Sequence, residues 1–175
     1  MKRIIILSDL WGAAKADWVV HYTSLLNKYF ITKFYDCRQL GNISMQEDDK
    51  EVVHKSFTNG GIDTAVRNLV ELEREAIYGL LGISIGGVIG WKACSAGLPC
   101  QHLFVASSTR LRFETQKPSA TIDLFYGEND LFKPNDGWFK KLGLMRTLYK
   151  NEGHEMYTKH EIAQSICERI IEHSV

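Results

Sequence analysis

The chain alternates short apolar runs with amphipathic stretches. Ile4-Ile5-Ile6-Leu7 is a continuous run rich in β-branched residues, the pattern of a strand buried on both faces of a parallel sheet. Trp18, Tyr22, Leu25, Leu26 and Tyr29 then share one face at helical spacing, and Ile31 to Tyr35 predicts a second strand. The polar stretch from Gly41 to Gly61, centred on Glu47 to Glu51, predicts an exposed loop with a short helix. Ile62, Val66, Leu69 and Val70 mark a second amphipathic helix that ends in the charged segment Glu71 to Glu75. A third strand, Ile77 to Leu81, leads through the glycine-rich turn Gly82 to Gly87 into a helix from Val88 to Ala96. That helix has only Lys92 and Ser95 as clearly polar side chains, so it is expected to be largely buried. Strands follow at Leu103 to Ala106, Thr121 to Tyr126 and Leu144 to Tyr149. A last helix carries the capping box Thr158-x-x-Glu161 and a stripe of Ile162, Ile166 and Ile170, with Ala163 and Cys167 beside it.

Strands alternating with helices predict an α/β protein: a three-layer sandwich around a mainly parallel sheet of about six strands. With no repeat, low-complexity tract or linker, residues 1–175 read as one domain.

Charge changes the picture mainly by exclusion. The 21 basic and 21 acidic side chains cancel, so no overall field favours nucleic acid or an anionic membrane. A small, neutral or weakly charged molecule is the expected partner. Cys37, Cys94, Cys100 and Cys167 form no C-x-x-C pair and no zinc-spaced cluster, and are expected as buried thiols in a reducing compartment. The basic start, Met1-Lys2-Arg3, precedes an apolar run broken at Asp9, shorter than the roughly 7–15 residues of an export signal. No run approaches the roughly 20 residues of a membrane span, and a cytoplasmic location is expected.

The chemistry concentrates at three places. Gly82-Ile-Ser84-Ile-Gly86-Gly87 is a G-x-S-x-G pattern between an apolar strand and an apolar helix. There a serine rides on a sharp turn that lifts its Oγ clear of the sheet. A serine hydroxyl needs a general base, and that base needs an orienting carboxylate. Tyr126-Gly-Glu-Asn-Asp130 directly follows the fifth strand and Asn151-Glu-Gly-His154 the sixth. Each lies at the carboxyl edge, where open α/β sheets carry their sites. Asp130 is preferred as the acid over Glu128 and Asp136. Among the six histidines only His154 follows a strand at that edge, with Gly153 permitting a tight loop and His160 held in reserve. The backbone N–H of Ile85 is one expected oxyanion donor. The second is expected from Leu10 or Trp11, and Asp9 beside them is expected to turn its carboxylate away, to cap the following helix or to bond backbone N–H groups.

With these residues in place, the chain resembles the α/β-hydrolase superfamily, and within it the small lidless carboxylesterase-like members of the retinoblastoma-binding type. The resemblance spans nearly the whole length. It rests on Leu10-Trp11-Gly12 (loosely), Gly82-x-Ser84-x-Gly86-Gly87, Gly127-x-x-Asp130 and Gly153-His154-x-x-Tyr157. It implies a minimal α/β-hydrolase fold whose first strand corresponds to the family's third. The usual His-Gly before the oxyanion donor is replaced by Ser8 and Asp9. Between strands four and five only Ser107 to Ser119 remains, which leaves no room for a cap and implies a shallow, open pocket.

The implied reaction is acyl transfer to water from a small ester or thioester, free or carrier-borne. It would proceed through an acyl-enzyme on Ser84, with no metal or organic cofactor, and would fail at acidic pH as His154 protonates. Arg110 and Arg112, in the segment after strand four, are expected at the pocket mouth as candidates for binding an anionic substituent. Trp18 and Trp91 are expected in the core, and Trp11 and Trp138 near the site. The rival reading is a degenerate hydrolase fold kept as a binding protein. A nucleotide- or flavin-binding domain is disfavoured, because neither G-x-G-x-x-G nor G-x-x-x-x-G-K-[ST] occurs.

Overall fold

The computed structural model describes residues 1–174. Six strands form one sheet in the order β2-β1-β3-β4-β5-β6: β1 (Lys2–Leu7), β2 (Phe30–Tyr35), β3 (Ile77–Ile83), β4 (Cys100–Ala106), β5 (Thr121–Gly127) and β6 (Thr147–Tyr149). Every neighbouring pair is parallel, with registers such as Leu7↔Gly82 and Ala106↔Phe125. Seven helices connect them: α1 (Val19–Leu26), α2 (Cys37–Leu40), α3 (Lys50–Ser56), α4 (Ile62–Leu72), α5 (Ile85–Ser95), α6 (Asp136–Leu142) and α7 (His160–Glu172).

The alternation of side chains along β1 explains the three layers. Ile5 and Leu7 join one core with Val53 of α3, Leu69 of α4, Trp91 of α5 and Phe139 of α6. Ile4 and Ile6 join the other, against Tyr22 and Leu26 of α1 and Ile162, Ile166 and Ile170 of α7. None of Ile4 to Leu7 is exposed, and full burial of each such side chain contributes about 1.5–3 kcal/mol. A run apolar at every position suits a strand covered on both sides.

Three local expectations give way to tertiary detail. The strand expected from Leu144 is confined to Thr147–Tyr149. Gly143 ends α6 in the left-handed conformation (φ 63°), and Leu144 N–H returns to Phe139 O at 2.9 Å, so this segment serves the helix terminus. The capping box at Thr158 is not formed. Thr158 Oγ1 donates to Glu155 O, closing a 3₁₀ turn, and α7 begins one residue later than the pattern implied. The polar stretch before α4 holds α3, capped by the Asp49 carboxylate, and anchors itself through buried Val53 and Phe57.

The charged segment after α4 is not wholly solvated. Glu73 is 2% exposed and accepts hydrogen bonds from Arg3 (2.6 Å), Lys33 (2.9 Å) and Tyr35 (2.5 Å). Burial raises the proton affinity of this carboxyl. The three donors and the Arg3 charge outweigh that and hold it below the ordinary carboxylate range.

The chain crosses from β1 to β2 on one side, then from β2 back past β1 to β3 on the other, where later strands continue outward. The loops leaving β1 and β3 therefore flank the switch point of the sheet, where open α/β folds leave a crevice.

Candidate active site

Ser84 occupies that switch point. It links β3 to α5 with φ 51° and ψ −114°, a backbone conformation that costs a non-glycine residue on the order of 1–3 kcal/mol. Its N–H is fixed to Ala106 O at 2.8 Å, so the end of β4 holds the turn. At Gly86 a Cβ would lie 2.5 Å from Ser8 O and 2.8 Å from Leu7 Cβ. Only glycine lets the start of α5 press against the end of β1, and that contact seats the elbow beside the Ser8–Gly12 loop.

The loops after β5 and β6 bring up the other two groups. His154 Nε2 lies 3.0 Å from Ser84 Oγ, and His154 Nδ1 lies 2.8 Å from Asp130 Oδ2. With the proton on Nδ1, the imidazole donates to the carboxylate and accepts from the serine hydroxyl. Asp130 is 3% exposed and also accepts from Phe132 N–H at 3.3 Å, which fixes its second oxygen. The two loops are tied by main chain: Glu128 N–H donates to Tyr149 O (2.9 Å) and Asn129 N–H to Glu152 O (2.8 Å). A Cβ at Gly127 would fall 2.3 Å from Glu152 O, whereas one at Gly153 would meet nothing within 4 Å. The residue that must be glycine here is the one in the acid loop.

The other carboxylates and histidines weighed from sequence are elsewhere. Glu128 Oε2 accepts from Asn151 N–H, and Asp136 pairs with Arg146. His160 opens α7 with its ring against His21, 5.3 Å between centroids.

Around Ser84 lies a cleft of about 850 Å³, within the range of ligand pockets. Leu10, Trp11, Ile85, Arg110, Arg112 and His154 are among the residues that line it. Ile85 is the first residue of α5, so its N–H has no intrahelical acceptor. Of the two candidates in the β1 loop, Trp11 N–H is already taken by Asp9 Oδ1 at 3.0 Å, which removes Trp11 as an oxyanion donor in this arrangement. Leu10 N–H has no acceptor among the described residues.

Asp9 does turn its carboxylate onto local groups, and one partner was not visible in sequence: Tyr157 Oη donates to Asp9 Oδ2 at 2.8 Å. Burial raises the proton affinity of Asp9, and the bonds from Tyr157 and Trp11 only partly offset it, so its pKa lies above the ordinary value. Tyr157 falls in the 3₁₀ turn His154–Thr158. The Gly153-His154-x-x-Tyr157 spacing contained the signal without indicating the partner.

Trp18 and Trp91 are buried in the two cores, as the periodicity implied. Trp11 lines the cleft, but Trp138 does not. Its indole packs against Trp91 and donates to Glu114 O at 2.8 Å, fastening α6 to the segment after β4. That segment, Ser107 to Ala120, folds into one 3₁₀ turn, Thr109–Phe113, with no helical cap.

An open, fully parallel sheet with a strained serine between β3 and α5 defines the α/β-hydrolase fold, here in a small form without a lid. No family model and no curated protein sequence matches the chain. Solved structures do. A serine hydrolase without lid from Xanthomonas campestris superposes with TM-score 0.64 at 17% identity, covering 99% of this chain and 82% of that one. An α/β-hydrolase enzyme from the metagenome of Mar Chica lagoon sediments, Morocco, gives 0.68 at 18% identity, covering 99% and 92%. Est1E of Butyrivibrio proteoclasticus, solved with ferulic acid bound, gives 0.69 at 13% identity, covering 98% and 89%. At such identities the likeness is one of fold.

Proposed function

We propose that this chain is a serine hydrolase that cleaves small esters or thioesters through Ser84, His154 and Asp130. The observation that carries the reading is the unbroken hydrogen-bonded path from the Ser84 hydroxyl through the imidazole to the buried Asp130 carboxylate. In this mechanism Ser84 Oγ attacks the acyl carbon while His154 Nε2 takes its proton. The tetrahedral intermediate collapses as the C–O or C–S bond breaks, and the imidazolium returns the proton to the leaving group. Water, deprotonated by the same nitrogen, then releases the acid and frees Ser84. Asp130 holds the productive tautomer and stabilises the imidazolium. The N–H groups of Ile85 and Leu10 are assigned to the oxyanion.

A second reading, a binding protein on a retired hydrolase fold, draws on one feature: the Asp9 carboxylate occupies Trp11 N–H beside the oxyanion position. A fluorophosphonate probe separates the two. Covalent labelling of the native chain, absent in Ser84→Ala, is expected for the hydrolase. A native chain that stays unlabelled while binding small ligands in the cleft would overturn it.

A further inference from the structure

The net charge of the chain is zero, and four acidic and four basic side chains line the Ser84 cleft, but the basic ones are paired unequally. On the side of the β6–α7 loop, Lys159 is neutralised by Glu152 at 2.7 Å, and Glu155 adds a carboxylate. Lys50 and His54 from α3 line the cleft as well, with Arg110 and Arg112 from the turn after β4, and the three cations cluster about the His54 imidazole. None of Lys50, Arg110 and Arg112 has an ion-pair partner among the described residues.

The two arginines are held differently. Arg112 Nη1 donates to Thr109 O at 2.8 Å and to Phe132 O at 3.5 Å, and its guanidinium lies 4.2 Å from the centre of the Phe113 ring. It is oriented by its own turn and by the loop after β5. Arg110 is half-buried and stacks at 5.1 Å from the same ring, but makes no hydrogen bond among the described residues. Two guanidinium groups thus share one aromatic ring without an anion between them, an arrangement that like-charge repulsion opposes. Their field reaches the neighbouring imidazole: burial first, then Arg110, Arg112 and Lys50, makes His54 harder to protonate. A planar fork with all its donors unused, at the mouth of a cleft containing an activated hydroxyl, matches a carboxylate.

We infer that the substrate carries a carboxylate besides its scissile acyl bond, and that Arg110 binds it while Arg112 and Lys50 supply the field that draws it in. The inference rests on the hydrolase reading and narrows its substrate class. The carboxylate belongs to the acyl chain or to the leaving group, and two ester pairs distinguish these: 4-nitrophenyl hemiglutarate against 4-nitrophenyl pentanoate, and 4-acetoxybenzoate against phenyl acetate. In one pair the charged ester is expected to be preferred in kcat/KM by about tenfold, the worth of one charge-assisted fork. The preference should fall to near parity in Arg110→Gln, fall partly in Arg112→Gln and shrink as salt is raised to about 0.5 M.

Parity in both pairs for the native chain, or a preference retained when Arg110→Gln and Arg112→Gln are combined, overturns the inference and leaves the hydrolase reading intact. A readout independent of turnover is titration of monomethyl glutarate and 4-acetoxybenzoate into Ser84→Ala. At least one should bind, and Arg110→Gln in that background should weaken it about tenfold. Binding that is absent, or unchanged by the Arg110 substitution, counts against the inference, whereas failure of probe labelling in the native chain counts against the hydrolase reading.

Discussion

Tyr157 and Asp9, 148 residues apart in the chain, are joined by a buried hydrogen bond of 2.8 Å. One end belongs to the loop that presents Leu10, the other to the turn that begins at His154. The bond therefore ties the Leu10 side of the cleft to the imidazole side. Tyr157 O also accepts from Tyr22 Oη at 2.9 Å, and the Tyr157 ring stands edge-on to Trp18, so the tie is anchored in the core.

Tyr157→Phe leaves the Asp9 carboxylate short of one donor in a buried place. Urea denaturation should show a loss of about 1–3 kcal/mol. Ester hydrolysis should lose more in kcat than in KM, because the substitution disturbs alignment across the cleft. An unchanged kcat in a destabilised variant would reduce the bond to a structural one.

Asp9→Asn tests the charge itself. Because burial favours the neutral carboxyl, folded Asp9 keeps its proton to higher pH than the unfolded chain does. Wild-type stability from this group is therefore greatest below the unfolded carboxylate value and declines as pH rises through the folded one. Asparagine removes that decline. Denaturation midpoints at pH 4 and pH 8 should differ less in the variant, with its relative gain at the higher pH.

Gly127→Ala and Gly153→Ala form a contrasting pair. A methyl at 127 collides with Glu152 O, main chain that cannot step aside without separating Asp130 from His154. A cost of about 1–3 kcal/mol is expected together with a large fall in activity. At Gly153 (φ −101°, ψ −159°) the added methyl meets open space, and both stability and hydrolysis should change little.

Glu73 gives the fold an acid-sensitive point remote from the cleft. Its folded pKa lies below the unfolded value of about 4.5. The stabilisation is fully present above that value and is lost as pH falls through the folded one. Glu73→Gln should cost about 1–3 kcal/mol near neutrality, discounted because Arg3 and Lys33 are partly exposed, and should flatten the acid limb of the stability curve.

Much of this architecture was legible from local pattern. Runs such as Ile4 to Leu7 need both faces covered, and the G-x-S-x-G turn between strand and helix predicts a serine at the carboxyl edge. The β5 and β6 loops predicted a carboxylate and an imidazole at the same edge. What stayed hidden depends on contacts between distant segments. No spacing rule pairs Asp9 with Tyr157, and charge runs conceal a member such as Glu73 whose partners lie on β1 and β2. The glycine demand at Gly127 arises from a loop more than twenty residues downstream. Thr158 carried a valid capping pattern, but the chain used its hydroxyl to close the preceding turn.

The backbone angles at Ser84 have a consequence for how this chain can change. Glycine adopts them without steric strain, at a smaller entropic cost, whereas alanine inherits the same crowding as serine. Ser84→Gly should therefore melt above Ser84→Ala, with the difference, about 1 kcal/mol, measuring the conformational tension that keeps the hydroxyl aloft. Selection for robustness alone would drift toward glycine at this position, and a serine there is a mark of selection for something other than durability.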